Sequence, residues 1–212
     1  MGQLNRIGRQ IELKKGQTLM WEGEDSLVVA SIVTGIFKLS SSLEDGREQI
    51  ISLAFPADFV GRPFGEKNEY SVEALTDARL CVFSRADFDN FARSHPGLEH
   101  KLLERTLDQL DDARRWIMLL GRKTASERVA SFLMEISTKL GVSGCSANNK
   151  KLTEFELPFG RKQMADILGL TIETVSRQLT RFKNDGLIDL PDRRNIRILD
   201  NLKLQALSEA AA

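Results

Sequence analysis

The sequence has few of the residues from which metal centres and disulfide frameworks are built. Its 212 residues include two cysteines and two histidines, and no cysteine pair has the spacing of a zinc site. Two cysteines in a chain of this size are typical of a reducing cytoplasm and not of a disulfide-rich secreted domain. The chain as it stands is therefore expected to hold no metal.

Long apolar runs and catalytic motifs are also lacking. No run approaches the roughly 18 apolar residues of a membrane helix, and the N-terminus has no signal-peptide core. The sequence has no Gly-rich phosphate loop, no Gly-x-Ser-x-Gly elbow and no paired nucleophile and base. We therefore expect a cytoplasmic protein that is not an enzyme and has no membrane partner.

Charge is balanced overall but unevenly distributed. Residues 1–121 hold 15 basic and 19 acidic side chains, a net of −4, whereas residues 122–200 hold 14 basic and 10 acidic, a net of +4. A mildly acidic first part joined to a mildly basic second part fits a control domain attached to a nucleic-acid-binding domain.

Residues 160–188 are the most informative stretch, because they predict two helices joined by a tight turn. Gly169 supplies the break, and Thr171 is a good N-cap for a second helix over roughly residues 172–184. The apolar side chains expected to pack the helices together are those of Met164, Ala165, Leu168, Leu170, Val175 and Leu179. This pattern is typical of a helix-turn-helix, in which small Ala165 and Gly169 allow close approach.

The outward face of the second helix carries side chains that can read DNA bases, namely Ile172, Glu173, Ser176 and Arg177. An arginine can donate two hydrogen bonds to guanine, a glutamate can accept one from cytosine, and an isoleucine can meet a thymine methyl group. Glu173 and Arg177 are four residues apart and are expected to pair with one another. The alternative is an ordinary solvated, charge-paired face, and the surrounding turn pattern favours DNA.

A hairpin follows the paired helices and is expected to touch DNA phosphates. Residues 186–191 and 195–198 have strand character, with two arginines at the tip between them. A wing of this kind adds affinity without sequence information. The residues predicted to contact phosphates are Thr171, Lys162, Arg181, Arg193 and Arg194.

The first 83 residues predict short strands separated by turns, which suggests a small barrel or roll. Residues 43–47, with Asp-Gly at their centre, are expected to form a hairpin tip. Residues 84–87 open a short helix, and residues 124–127 form a capping box that opens another helix ending near Leu140.

Between them, residues 96–121 predict one long helix with a coiled-coil seam. The seam consists of Leu103, Thr106, Leu110, Ala113, Ile117 and Leu120, spaced alternately by three and four residues. The alternative is that the helix packs against the protein's own roll. The side chains predicted to make that contact are Leu102, Leu107 and Trp116. Because one helix cannot cover both faces alone, we expect a homodimer.

The two segments LGLTIETVSRQL and LLGRKTASERVASFL resemble the Crp/Fnr family of bacterial transcription regulators, and the order of parts matches over essentially the whole chain. The resemblance implies an α+β fold: a β-roll sensor domain like a cyclic-nucleotide-binding domain (1–95), a dimerisation helix (96–121) and a winged helix-turn-helix (122–212). The Glu-x-x-Ser-Arg set is similar to the Fnr/FixK branch.

That branch implies a homodimer on a double-stranded DNA palindrome with TTGAT-like half-sites, in oxygen-responsive or related metabolic control. It places Arg177 on the guanine and Glu173 on the opposite strand, with RNA polymerase as a further partner. A protein-interaction module that does not bind DNA is the alternative of another class.

The signal is open between several candidates. A cyclic nucleotide is disfavoured, because Gly61-Arg62 and Tyr70-Ser71 stand where nucleotide-binding relatives have Gly-Glu and Arg-Ser or Arg-Thr, and Pro63 has no N–H. A 4Fe–4S cluster needs four thiolates. The resemblance places Cys81 at the fourth ligand, and the N-terminal cysteine motif is absent, so we expect either a truncated chain or a lineage that lost its cluster.

Three further hypotheses remain for the signal. His95 or His100 would serve a haem- or nitric-oxide-sensing protein, although a lone helix histidine is usually a surface residue. Cys145, in a polar loop with Lys150 nearby, is a candidate redox thiol. The preferred hypothesis for the chain as given is a constitutive dimer that has no cofactor and is controlled by its abundance.

Overall fold

The computed structural model describes residues 8–42, 44–46, 48–143 and 152–209, so Cys145 and two residues of the predicted hairpin tip, Leu43 and Arg47, lie outside the described residues. The chain divides into two compact units between Arg114 and Arg115, within the long helix. In the described residues, no helix combines the length and the hydropathy that crossing a bilayer requires.

The first unit is a β-roll of two antiparallel four-stranded sheets, with strand orders β1-β8-β3-β6 and β2-β7-β4-β5. The strands are β1 (Arg9–Leu13), β2 (Thr18–Met20), β3 (Val28–Thr34), β4 (Phe37–Ser42), β5 (Glu48–Ala54), β6 (Phe59–Gly61), β7 (Ser71–Ala74) and β8 (Ala78–Ser84). β4 and β5 pair as the predicted hairpin, with Ser42 opposite Glu48. Alternating residues such as Ile32, Phe37 and Leu80 fill the space between the sheets, so the roll predicted from the strand spacing is confirmed.

A short helix, α1 (Arg85–Arg93), packs on the outer side of the first sheet. It begins where the sequence predicts, because Ser84 caps it by accepting a hydrogen bond from the Asp87 backbone N–H at 3.1 Å. Phe88 is fully buried beside Phe83, at a ring distance of 5.7 Å.

The long helix α2 (Pro96–Arg122) is continuous and carries an exposed apolar stripe. Its large exposed apolar side chains are Leu103, Leu107, Leu110, Ile117 and Met118. Leu102 packs against the cluster around Phe88, as predicted. The prediction for Leu107 is wrong, because 52% of it is exposed and it extends the stripe. Trp116 belongs to the second unit and packs there against Phe132, at 6.5 Å between ring centroids, and not on the roll as predicted.

The second unit is a winged helix-turn-helix preceded by a core helix. Its elements after α2 are α3 (Ala125–Ser143), β9 (Glu154–Glu156), α4 (Arg161–Leu168), α5 (Ile172–Asn184), β10 (Ile188–Asp189), β11 (Asn195–Ile198) and α6 (Asn201–Glu209). The capping box at the start of α3 is confirmed, since the backbone N–H of Thr124 donates to Glu127 Oε2 at 2.8 Å. The predicted hairpin β10–β11 is present, and β9, which the sequence did not predict, pairs with β11 to give a three-stranded sheet.

Candidate nucleic-acid interface

The helix-turn-helix consists of α4, the turn 169–171 and α5. The predicted packing residues Met164, Ala165 and Leu168 of α4 are buried, as are Val175 and Leu179 of α5, and Leu170 is half-buried. Gly169 ends α4 in the left-handed region, with φ of 60°. A Cβ there would meet its neighbours no closer than 3.8 Å, so its positive φ and not close helix approach is what calls for glycine.

The side chains predicted to read bases share the outward side of the first two turns of α5. Ile172, Glu173 and Arg177 are exposed, and Ser176 is half-buried. An open groove beside them runs down the helix and is lined by Ser176, Arg177, Thr180, Arg181, Asn184 and Asp185. The first turns of α5 therefore present one apolar, one acidic, one hydroxyl and one basic group to a partner.

The predicted pairing of Glu173 with Arg177 is wrong. In the described part of the chain no ion pair joins them, and the Glu173 carboxylate instead turns back to the helix N-terminus. Hydrogen bonds from its own backbone N–H and from Thr171 lower the pKa of Glu173. Glu173 is thereby held as an anionic acceptor, and its carboxylate does not neutralise the Arg177 guanidinium.

The residues of α4 and α5 that are predicted to contact phosphates differ in the partners that they already have within the protein. Lys162 is exposed on the first turn of α4. The Thr171 hydroxyl caps α5 by accepting from the Thr174 backbone N–H at 3.2 Å, as its N-cap prediction requires. Arg181 lies 3.6 Å from Asp185 in an exposed ion pair, which contributes little stability and can be exchanged for a phosphate.

The wing presents its two arginines from a turn that Asp192 organises. Asp192 Oδ1 accepts from the backbone N–H groups of Arg194 and Asn195, at 2.7 and 2.8 Å. These bonds, with one from the Asn195 side chain, lower the pKa of Asp192. Arg193 and Arg194 are both exposed at this tip.

Arg128, which the sequence interpretation passed over, joins the end of α2 to the end of α4. Its guanidinium donates to the carbonyl oxygens of Leu120 at 2.6 Å, Lys123 at 2.9 Å and Leu168 at 3.1 Å. These carbonyls lie at or just past helix C-termini, where no backbone donor remains for them. An arginine within the apolar run of α3 was the available sequence signal for such a role.

Replacing Arg128 with alanine is expected to destabilise the second unit by roughly 2–3 kcal/mol, because three half-buried carbonyls lose a charged donor. Arg128→Lys should recover part of the loss, since one ammonium replaces a fork of donors. The measurement is urea unfolding followed by Trp116 fluorescence in a Trp21→Phe background, which leaves one tryptophan, packed on Phe132. An unchanged midpoint for Arg128→Ala would contradict this role.

The candidate sensor residues in the roll have local partners. Arg62 is the sole arginine of residues 61–75, and its guanidinium pairs with Glu69 at 2.5 Å. The Ser71 hydroxyl accepts from the Glu22 backbone N–H at 3.0 Å. Arg62 and Ser71 are thus both engaged with other residues of the roll.

Cys81 is buried in the cluster that supports α1, and burial raises the pKa of its thiol. The two cysteines of the sequence are fewer than the four thiolates of the cluster, so the residues present do not fit it. Within the described residues, no group of three or more His, Cys, Asp or Glu side chains is placed to hold a metal ion.

The two haem-ligand candidates both make local helix contacts. His95 stacks on Phe91 at 3.8 Å between ring centroids, and its Nδ1 lies 2.8 Å from the Phe91 carbonyl oxygen. His100 lies 3.3 Å from Glu104 on the exposed side of α2.

Comparison with known proteins gives matches along nearly the whole chain. Residues 10–95 match the cyclic nucleotide-binding domain family, and residues 127–207 match the Crp-like helix-turn-helix domain family. The transcriptional activator protein FnrL of Cereibacter sphaeroides is 44% identical over 201 residues, covering 95% of this chain and 81% of FnrL. The nitrogen fixation regulation protein FixK of Bradyrhizobium diazoefficiens is 32% identical, covering 98% of this chain and 85% of FixK. The solved structure of FixK2 from Bradyrhizobium japonicum superposes with a TM-score of 0.85 at 31% identity, covering 97% of this chain and all of that one.

Proposed function

The chain belongs to the Crp/Fnr family of transcription regulators, and on that premise we propose that it binds a TTGAT-like palindrome as a homodimer and activates transcription in oxygen-responsive or related metabolic control. The FnrL relative is named a transcriptional activator, and the FixK relative a regulation protein of nitrogen fixation. RNA polymerase is the expected protein partner, in the cytoplasm.

The observation that carries the proposal is the outward face of α5. Its first two turns present Glu173 as an anionic acceptor and Arg177 as an exposed donor that is not paired with it. In a docked helix-turn-helix the N-terminal residues of the second helix are those that reach base edges. Arg177 on guanine and Glu173 on cytosine N4 then match the two bases of a G·C pair or of neighbouring pairs.

The stripe on α2 supports the homodimer. Leu103, Leu110 and Ile117 recur every seven residues and are 56%, 43% and 72% exposed in the single chain. A heptad of large exposed apolar side chains on one helix is the pattern that a second copy of the helix covers. Dimerisation brings together two copies of α5, the recognition helix of the proposed DNA complex. The two-fold symmetry of the dimer then requires DNA half-sites that lie about one helical turn, roughly 34 Å, apart.

For the signal, we propose that the chain as given acts without a bound cofactor and is controlled by its abundance. Support comes from Gly61-Arg62 and Tyr70-Ser71, which stand where nucleotide-binding relatives have Gly-Glu and Arg-Ser or Arg-Thr, and from the burial of Cys81. A 4Fe–4S cluster with Cys81 as one ligand is the alternative if the natural N-terminus supplies three cysteines. Iron analysis of the natural protein, purified anaerobically, separates the two.

Fluorescence anisotropy with a TTGAT palindrome and a shuffled duplex of equal composition tests the function. The palindrome should bind at least about 10³-fold more tightly than the shuffled duplex at physiological salt. Equal binding of both would reject sequence-specific regulation, and binding of neither would favour an interaction module.

The wing is expected to contribute affinity without selectivity. Replacing Arg193 and Arg194 together with alanine should weaken palindrome and shuffled DNA by the same factor. The slope of log K against log salt should shrink in magnitude by about 0.9 for each lost phosphate contact. A changed preference between the two duplexes would show instead that the wing reads bases.

A further inference from the structure

The hydroxyl group of Ser176 has a partner inside the helix-turn-helix. Arg161, the first residue of α4, places its Nη1 3.1 Å from Ser176 Oγ on α5. Both side chains are half-buried, so the bond is partly shielded from water. Because the two residues are fifteen positions apart, this bond exists only when the two helices are packed together.

Chemistry sets the direction of this bond. A guanidinium has N–H donors and no acceptor, so Ser176 Oγ accepts from Arg161. The positive charge repels the hydroxyl proton, which turns away from the guanidinium, and polarisation by a cation makes the hydroxyl a stronger donor and a weaker acceptor. The second lone pair of the hydroxyl remains an acceptor, but a weakened one. Ser176, which lines the groove of α5, therefore donates more readily than it accepts toward a ligand in that groove.

We propose that Arg161 is a specificity-determining residue, which biases Ser176 toward donating its hydrogen bond, so that a base presenting an acceptor is favoured at the position facing it. The inference rests on the proposed function, of which it specifies one base contact. In the major groove thymine offers O4, guanine offers O6 and N7, and adenine offers N7, whereas cytosine offers only its N4 donor. Cytosine is therefore the base that the Arg161–Ser176 pair disfavours most at this position.

A phosphate contact by Arg161 would have a different signature. Phosphate contacts carry no sequence information, so their loss weakens all duplexes alike. Lys162 provides the matched control, because it is the next residue on α4, carries the same charge and is exposed. No hydrogen bond joins it to Ser176 in the described part of the molecule.

The experiment measures affinities of the full-length protein for palindromes in which each half-site position carries each of the four base pairs in turn. Wild type, Ser176→Ala, Arg161→Ala, Lys162→Ala and the Arg161/Ser176 double variant are compared by anisotropy. Ser176→Ala should lose discrimination against cytosine at one position. Arg161→Ala should lose it at the same position by about 3- to 10-fold per half-site, the scale of one net hydrogen bond. The double variant should discriminate there no less than Ser176→Ala alone.

Arg161→Met guards against a folding defect, because it keeps the aliphatic stem and removes the donor. It should give the same single-position loss, with an unchanged thermal melting curve. The inference would be overturned if Arg161→Ala and Arg161→Met weakened the binding of all duplexes by the same factor, as Lys162→Ala should. It would also be overturned if both variants kept the wild-type discrimination against cytosine. A wild-type protein that binds every duplex equally would instead reject the proposed function itself.

Discussion

Replacing Ile117 with glutamate is expected to convert the dimer to a monomer and to weaken binding of the palindrome by about 10²–10⁴-fold, the usual gain from linking two sites. Ile117 lies on the heptad stripe of α2 and is 72% exposed in the single chain. In the proposed dimer this side chain faces a second copy of the helix. Two glutamates would bring like charges together in an apolar seam, at a cost that burial makes larger.

Two controls separate this effect from misfolding and from added charge. Ile117→Leu keeps the apolar seam and should remain dimeric with normal DNA affinity. Gln109→Glu places one more negative charge at an exposed site on the same helix, outside the stripe, and should also remain a dimer. Sedimentation velocity gives the mass of each variant and anisotropy gives its affinity. A dimeric Ile117→Glu variant that binds the palindrome normally would contradict the assignment of the seam.

Replacing Arg177 with alanine is the second change of large effect. It should cost about 1–3 kcal/mol per half-site for the cognate palindrome, because a bidentate arginine–guanine contact is lost. Affinity for shuffled DNA should fall much less. The preference for guanine over the other bases should be lost at the position that Arg177 contacts, and the base preferences at the other half-site positions should remain.

Lys183 provides a charge-matched control on the same helix. It lies at the far end of α5 and pairs with Asp189 at 3.3 Å, so Lys183→Ala removes one positive charge away from the first two turns. It should leave the base preference unchanged. If Arg177→Ala and Lys183→Ala lowered all affinities by the same factor, Arg177 would act through charge alone. A protein-interaction module would lose nothing in partner binding with Arg177→Ala.

The sequence predicted the elements that depend on local signals. The cap at Thr171, the positive-φ glycine at 169 and the buried spacing of Val175 and Leu179 are all properties of neighbouring residues along the chain. The wing hairpin and the capping box at Thr124 are local in the same sense. Local patterns also show which side of α5 faces outward, because the apolar residues identify the buried face and the opposite face must then be exposed.

The errors arose where a side chain had a choice of partners. The periodicity of α2 showed that several faces are apolar, but not that Leu107 stays exposed or that Trp116 meets Phe132. β9 is three residues long with one apolar side chain, too short for a periodic signal. Glu173 had two possible sets of partners, and its carboxylate bonds to its own backbone N–H and to the Thr171 side chain and not to Arg177.

The contacts of Arg128 and Arg161 were not predictable from spacing at all. The Leu168 acceptor lies 40 residues from Arg128, and the Ser176 acceptor lies 15 residues from Arg161. Such bonds become visible only when the helices are packed. They tie the end of α4 to the end of α2, and they hold Ser176 of α5 against the start of α4.

The most direct test of the central claim is the affinity of the wild-type protein for TTGAT half-sites placed at a series of spacings on one duplex. Two recognition helices in one symmetric dimer require both half-sites on the same face of DNA, about one helical turn apart. Binding should therefore be tight at the palindromic spacing and should fall toward that of a single half-site when roughly five base pairs, half a turn, are inserted. Equal affinity at every spacing, or equal affinity for one isolated half-site, would contradict the account.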